Sequence, residues 1–269
     1  MSKQNKLKFK YVVGIHTSQK TITRANALQK LLDKDIDKFK DMKILFTYGN
    51  SNSNSNSNSN YIQNNNLFLN SPETYEELPI KTISFLKFIN DTFTYQYVIK
   101  MDDDIYLDID KFYNFITNLP SVDYAGFFHG KRALKNTPRN YHFNKCSDSS
   151  FNEIIYEPYD YDFCNGACCL LSSRAVNFIL SNYSDNFEYI RSLNKKKGSE
   201  DRMVGQILTS VPTLKNIKVI KNGTWVDTKN NIFSTFNDSV LHPINLEKMP
   251  ILTPLKKKFI FKQLLNYEK

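Results

Sequence analysis

At 269 residues, with 41% hydrophobic and 14% aromatic side chains, the chain has ample apolar material for a core and is no disordered tail. Its net charge of +9 invites a polyanion partner. The basic residues are nevertheless spread out, with dense runs only at 195–197 and 256–258, so the clustered patch with interleaved aromatics that a nucleic-acid binder needs is missing. No segment approaches the roughly 18 consecutive apolar residues that span a bilayer, and the basic N-terminus lacks a signal-peptide core. The expectation is a soluble, intracellular (cytoplasmic) chain, with membrane association in the secretory pathway left open.

In chain order, "KFKYVVGIHTS" reads as a β-rich run ending in polar residues, a strand entering a loop. "TITRANALQKLLDK" follows with Ala27, Leu28, Leu31 and Leu32 on one helical face, and "MKILFTYG" is a buried strand ended by Gly49. Strand, helix, strand in this short space predicts a βαβ unit and a parallel sheet. Five Ser-Asn repeats at 51–60 carry no apolar side chain, so a flexible surface loop is predicted over 50–66.

Order resumes at "SPETYEELPIKTISFLKFIND". Ser71 reads as an N-cap with Pro72 at the first helical position, and Ile80, Ile83, Phe85, Leu86 and Ile89 supply the buried face. A strand over Tyr95–Met101 leads into Asp102, Asp103 and Asp104, then a helix over 109–119 and a strand over 123–130. "ACCLLSS" is a buried run, "RAVNFILSNY" a helix, and "GSEDRMVGQILTS" a helix entered through Ser199. The basic tail at 254–269 is an amphipathic helix candidate that packs on its own domain, a membrane surface or a partner. Of the four cysteines, Cys168 and Cys169 read as buried small hydrophobes, no zinc spacing is present, and a Cys146–Cys164 disulfide is left open.

Three consecutive carboxylates repel, and within "YVIKMDDDIY" only Lys100 opposes them. The plain reading is a solvated turn or helix cap. A calcium loop lacks the glycine and the bidentate Glu that an EF-hand requires. The sharper reading is a site for Mg²⁺ or Mn²⁺ and a diphosphate, in which a hard cation supplies the missing counter-charge and acts as a Lewis acid. Such a site at the carboxyl end of a sheet strand is where open α/β sheets bind ligands.

Five blocks in order carry a family resemblance: "YEELPIKT" (75–82), "YVIKMDDDIYLDIDKF" (97–112), "YDFCNGACCLLS" (161–172), "SEDRMVGQIL" (199–208) and "FNDSVLHPINLEKM" (236–249). Together they resemble the inverting β-1,3-glycosyltransferases of the galactosyltransferase and N-acetylglucosaminyltransferase type, glycosyltransferase family 31, related to Fringe. The chain differs in carrying Arg202 where the family has Val, and Cys168–Cys169 where it has Gly-Tyr. The resemblance implies a GT-A fold, α/β with a Rossmann-like, mostly parallel sheet, forming one catalytic domain over 1–269.

It also implies transfer of galactose or N-acetylglucosamine from a UDP-sugar to a hydroxyl of a glycan, glycoprotein or glycolipid. Asp104, Asp102 and His242 would hold Mn²⁺ or Mg²⁺, with Asp102 and Asp103 helping to hold the nucleotide sugar. Asp201 would be the general base, with the like charge of Glu200 beside it; the plain alternative is that both acids favour a helix N-terminus. Lys81 and Lys100 are expected to hold the diphosphate or to be solvated, Arg24 to approach the nucleotide, and Gly166 to let backbone approach the ligand. The competing expectation is a non-catalytic glycan- or nucleotide-sugar-binding module on the same fold.

Overall fold

A computed structural model describes residues 6–49 (without 34 and 36), 59–129 (without 108), 145–153, 161, 163–211 (without 198), 214, 217–220, 226–227, 232–233 and 240–241. The chain enters through β1 (Leu7–Lys8) and β2 (Tyr11–His16), then α1 (Ile22–Leu32) and β3 (Met42–Gly49). Strands β2 and β3 pair in parallel from Tyr11↔Met42 to His16↔Thr47, the βαβ unit that periodicity predicts. On α1 the buried face is Ala25, Leu28 and Leu32.

From Tyr61 the structure departs from the predicted loop. Strands β4 (Tyr61–Gln63) and β5 (Asn66–Leu69) form an antiparallel hairpin on the sheet edge. Its two-residue turn is Asn64–Asn65, with φ of 55° and 43°. Asn is among the few residues that adopt such angles at little cost, and two in succession make the tight turn that joins hairpin strands. The Ser-Asn repeat through residue 58 lies outside the described residues.

Ser71 is not a helix cap. Residues 70–74 form a strap, Tyr75–Glu77 a 3₁₀ turn, and α2 (Leu78–Thr92) begins with Pro79 in its first turn. Glu73 is used elsewhere: its carboxylate accepts the backbone N–H of Gly49 at 3.0 Å and of Gln19 at 3.1 Å, tying the strap to two neighbouring loops. After β6 (Phe93–Thr94), which pairs with β1, come β7 (Tyr97–Asp102), β8 (Tyr106–Leu107), α3 (Ile109–Thr117) and β9 (Tyr124–His129). Then follow β10 (Phe163–Ser172), α4 (Ser173–Tyr183), α5 (Phe187–Lys197) and α6 (Glu200–Thr209). The remaining strands are β11 (Ile217–Ile220), β12 (Val226–Asp227), β13 (Ile232–Phe233) and β14 (Val240–Leu241).

Eight strands make the central sheet in the order β11-β9-β10-β7-β2-β3-β5-β4. The β11–β9, β7–β2, β2–β3 and β3–β5 pairs are parallel; β10 runs antiparallel to both its neighbours. This is the mixed α/β class, a largely parallel sheet flanked by helices, as expected. Alternation along each strand divides the core between the two faces. Tyr11, Val13 and Ile15 join the cluster with α1 and α3, while Val12, Leu45 and Val98 join the one with α2, α4 and α6. Cys168 and Cys169 fall on opposite faces and are buried, as predicted. All four cysteines are free thiols, so Cys146 and Cys164 are not joined.

Helix α5 is an element that periodicity did not reveal. It is held over the start of α2 by Arg191, 2.8 Å from Glu77, and by Asn194, which donates to the Glu76 carbonyl at 2.8 Å. No helix among the described residues is long and apolar enough to cross a membrane. The tail at 254–269 lies outside the described residues.

Candidate active site

Strands β2, β3 and β7 end side by side, and their carboxyl ends carry the polar groups of the site. His16 lies opposite Asp102 in the β2–β7 register and opposite Thr47 in the β2–β3 register. Pleating sends Asp102, the last residue of β7, toward the face covered by α2 and α6. Asp103, one residue on, meets the loop that leads into α1.

Asp103 is held by hydroxyls and a guanidinium. Its Oδ2 accepts from Thr17 Oγ1 at 2.7 Å and from Thr21 Oγ1, and Arg24 lies 3.3 Å from Oδ1. The carboxylate is 8% exposed, against 41% for Arg24. Burial pushes its pKa up, and the Thr21 hydrogen bond and Arg24 oppose that shift. The sequence reading overlooked Thr17 and Thr21. Their signal was a hydroxyl at both ends of the loop between the first strand and helix.

Asp102 sits in a different setting. Lys100, two residues back on the same face, is buried and donates to Asp102 Oδ1 at 2.8 Å, to the Gly166 carbonyl at 3.0 Å and to Glu200 Oε2 at 3.2 Å. It is not solvated. Burial disfavours its charge, but Asp102 and Glu200 outweigh that and hold it protonated well above the ordinary lysine range. Asp102 is pushed up to about 6 by burial, with Lys100 opposing and Asp104 adding to the shift. The 34% of its side chain that meets solvent limits that penalty.

Glu200 opens α6 and is also bound by Thr82 of α2, whose hydroxyl donates to Oε1 at 3.0 Å. Lys81, next to Thr82, is buried and donates to the Thr17 carbonyl, with Glu73 at 3.8 Å. Burial lowers its pKa to about 8. Above Lys81 and Lys100 sits His16, fully buried against Phe85 with ring centroids 5.2 Å apart. Burial, with Lys100 and Lys81 nearby, keeps its imidazole neutral well below the usual pKa.

Gly166 lies where these groups meet. The β9–β10 register breaks between Cys164 and Cys169, and this irregular stretch of β10 brings Gly166 beside β7 and α6. A Cβ on Gly166 would lie 3.4 Å from Lys100 Nζ, 3.5 Å from Asp102 Oδ2 and 3.9 Å from Asp201 Cβ. Residues 102, 166 and 201, far apart in the chain, are therefore brought together. Asp201 is part-exposed in the first turn of α6 and accepts the backbone N–H of Arg202 at 2.9 Å. The Arg202 guanidinium lies 5.9 Å from the centre of the Phe163 ring.

His242 lies outside the described residues. Just before it, Leu241 of β14 pairs with Tyr106 of β8, two residues beyond Asp104. Among the described residues no three His, Cys, Asp or Glu side chains form a group that could hold a metal ion. Two carboxylates, Asp102 and Glu200, nevertheless bear on the single ammonium of Lys100, and Asp104 adds to the negative field at Asp102. That surplus suits a hard cation that takes one or two protein carboxylates and completes its shell with phosphate oxygens.

A family match makes the chain a glycosyltransferase. The family described as Galactosyltransferase matches residues 32–213, and the chain belongs to that family, the glycosyltransferase family 31 domain. No curated protein sequence matches it. Among solved structures, the chain is similar to a glycosyltransferase involved in the glycosylation of the major capsid of PBCV-1, at 12% identity and a TM-score of 0.47, covering 94% of this chain and 98% of the other. It is likewise similar to the galactosyltransferase LgtC in complex with donor and acceptor sugar analogs, at 11% identity and a TM-score of 0.47, covering 95% of each. A third is the glycosyltransferase GlyE of Streptococcus pneumoniae TIGR4, at 12% identity and a TM-score of 0.45, covering 97% of this chain and 61% of that one.

Proposed function

We propose that this glycosyltransferase moves galactose or N-acetylglucosamine from a UDP-sugar to a hydroxyl of a glycan, free or on protein or lipid, in a β-1,3 linkage with inversion. The observation that carries the reading is the convergence of Asp102, Gly166 and Asp201 at the carboxyl end of the sheet. It supports reading Asp102 as the donor-side carboxylate and Asp201 as the base, both near the side of Gly166 where a Cβ would stand. Inversion is an in-line displacement, which needs a base on the acceptor side and charge neutralisation on the nucleotide side.

In this reading Asp201 takes the proton from the acceptor hydroxyl as that oxygen attacks the anomeric carbon. Gly166, without a side chain, leaves room for the sugar beside Asp102. Arg24, 41% exposed next to Asp103, is the cation that reaches the nucleotide. Lys81 and Lys100, buried and engaged within the protein, support the site from behind and do not contact the diphosphate. Asp102 and Asp104 would hold Mn²⁺ or Mg²⁺, with His242 as a further ligand; the β14–β8 pairing, which leads the chain to Leu241 beside Tyr106, supports that assignment. Bound there, the metal supplies Lewis-acid stabilisation of the departing diphosphate.

Calorimetric titration of UDP with and without Mn²⁺ tests the donor side. Wild type should bind in a Mn²⁺-dependent way and Asp104→Ala should not. Asp201→Asn should keep UDP binding and lose transfer by at least about 100-fold, the lower range for a general base. Full transfer in Asp201→Asn would remove Asp201 as base. A wild type that binds UDP but transfers nothing across a panel of sugars and acceptors would point to the binding-module alternative.

A further inference from the structure

The contacts of Lys100 go beyond holding one aspartate. A continuous hydrogen-bonded chain runs from Thr82 of α2 to Glu200 of α6, from Glu200 to Lys100 of β7, and from Lys100 to Asp102 and to the Gly166 carbonyl of β10. Four elements that meet nowhere in the sequence are joined by two side chains, Lys100 at 5% and Glu200 at 9% exposure. Both oxygens of Glu200 are engaged, Oε1 by a neutral hydroxyl and Oε2 by the ammonium. A carboxylate bonded on both oxygens from two directions has little freedom to rotate, and its backbone is the residue before Asp201.

We infer that Lys100 and Glu200 are a positioning pair that locks the helix bearing Asp201 to the strand bearing Asp102. The inference rests on the transferase reading above and assigns Lys100 a role other than diphosphate ligand. Neither residue touches the reacting atoms. Their work is to fix the distance between donor side and acceptor side, and a displacement near 1 Å at a reacting centre reduces rates by about 100-fold. Burial matters here: with Lys100 5% and Glu200 9% exposed, little water competes for the bonds of the ammonium at 2.8–3.2 Å, which fixes geometry better than a solvated pair does. The "YEELPIKT" block finds a physical reason as well, since its Thr82 is the far anchor of the chain and its Lys81 holds the Thr17 loop.

Lys100→Met strips the partner from two carboxylates and is a poor probe on its own, so Glu200 carries the test. Glu200→Gln keeps an acceptor for Lys100 and a polar partner for Thr82. Glu200→Leu keeps the volume and removes both bonds, while Lys100 remains paired with Asp102. The expected result is a kcat within about fivefold of wild type for Glu200→Gln. For Glu200→Leu, kcat should fall at least about 30-fold, with donor KM and calorimetric UDP affinity within threefold of wild type. Rescue by the amide and a change confined to kcat are effects that a merely structural residue would not produce.

Hydrogen exchange over residues 199–208 in the same variants reads the tie itself, independent of any substrate. Protection should fall in Glu200→Leu and hold in Glu200→Gln. Unchanged protection and unchanged kcat in Glu200→Leu would overturn the inference, as would equal losses of kcat in both variants. A wild type without UDP binding or transfer would instead defeat the transferase reading, and the exchange data would still decide whether Glu200 holds α6.

Discussion

Asp102 and Asp103 are neighbours in the chain and strangers in the fold. Asp103 faces the loop into α1, where two threonine hydroxyls and a half-exposed arginine satisfy it. Asp102 faces α2 and α6, where its partner is a buried lysine shared with Glu200. Asp103, 8% exposed, is steadied by three separate donors; Asp102, 34% exposed, shares its one ammonium with Glu200, which is 9% exposed and has no other charged partner among the described residues. Strand alternation alone makes the difference, because successive side chains at the end of β7 leave on opposite faces. The two acids should therefore respond very differently when their partners are removed.

The largest contrast is between the two cations. Lys100→Met leaves Glu200 buried and Asp102 one-third exposed without their shared counter-charge, and should destabilise the fold by about 3 kcal/mol, the low end for a broken buried pair because Asp102 still meets solvent. Arg24→Met should cost less than about 1 kcal/mol, since the guanidinium is 41% exposed and the buried Asp103 keeps both hydroxyl donors. Denaturant melts of the two variants check this directly. Comparable losses would show that the two aspartates are held in the same way after all.

Next comes the wall behind the Asp102 cluster. A Cβ on Gly14 would lie 2.2 Å from the buried Phe85 ring, on which His16 also packs. Gly14→Ala should cost about 1–3 kcal/mol through overpacking. At Gly166 an added Cβ meets only ordinary contacts at 3.4 Å and beyond. Gly166→Ala should melt within about 1 kcal/mol of wild type, yet lose transfer activity, because the methyl group points between Asp102 and Asp201. On the proposed function, one glycine is required by packing and the other by the ligand; melts and rate assays together separate the two.

A smaller effect, dependent on pH, belongs to His16. Neither of its ring nitrogens has a hydrogen-bond partner among the described residues, and its folded pKa is depressed well below 6.5 by burial and by Lys100 and Lys81. Below about pH 6.5 the unfolded chain takes up a proton that the folded chain refuses, so stability falls as pH drops, by up to about 1.4 kcal/mol per unit. His16→Leu should remove that slope between pH 6.5 and 5 without deleting a hydrogen bond. Melts at two pH values suffice. Parallel curves for wild type and variant would mean that the imidazole does protonate in the fold.

The smallest shift is on the Asp103 side. Arg24→Met, nearly silent in stability, should weaken UDP binding about threefold to tenfold if the exposed guanidinium reaches the nucleotide. Unchanged UDP affinity would confine Arg24 to steadying Asp103.

Much of this was legible in the sequence where a local rule acts alone. The βαβ start, the buried face of α2, the strand before the aspartates and the helix entered at Ser199 all follow from periodicity and caps, which depend on residues a few positions apart. The hairpin at Tyr61–Leu69 was legible too, in the Asn64–Asn65 turn, but the Ser-Asn repeat before it masked the signal. Ser71–Pro72 imitated a helix start, yet the helix begins at Leu78 with Pro79 in its first turn, and Glu73 instead bonds the backbone of two other loops.

What the sequence by itself determined was a largely parallel α/β sheet with carboxylates at one strand end, since hydrophobic spacing and turn chemistry are properties of short segments. Which carboxylate faces which partner was decided only in three dimensions. That Lys100 is buried rather than solvated, and shared by Glu200, a hundred residues away, and the Gly166 carbonyl, is visible only in the fold. Charge pairing across the fold follows the topology of the sheet, and no spacing along the chain records that.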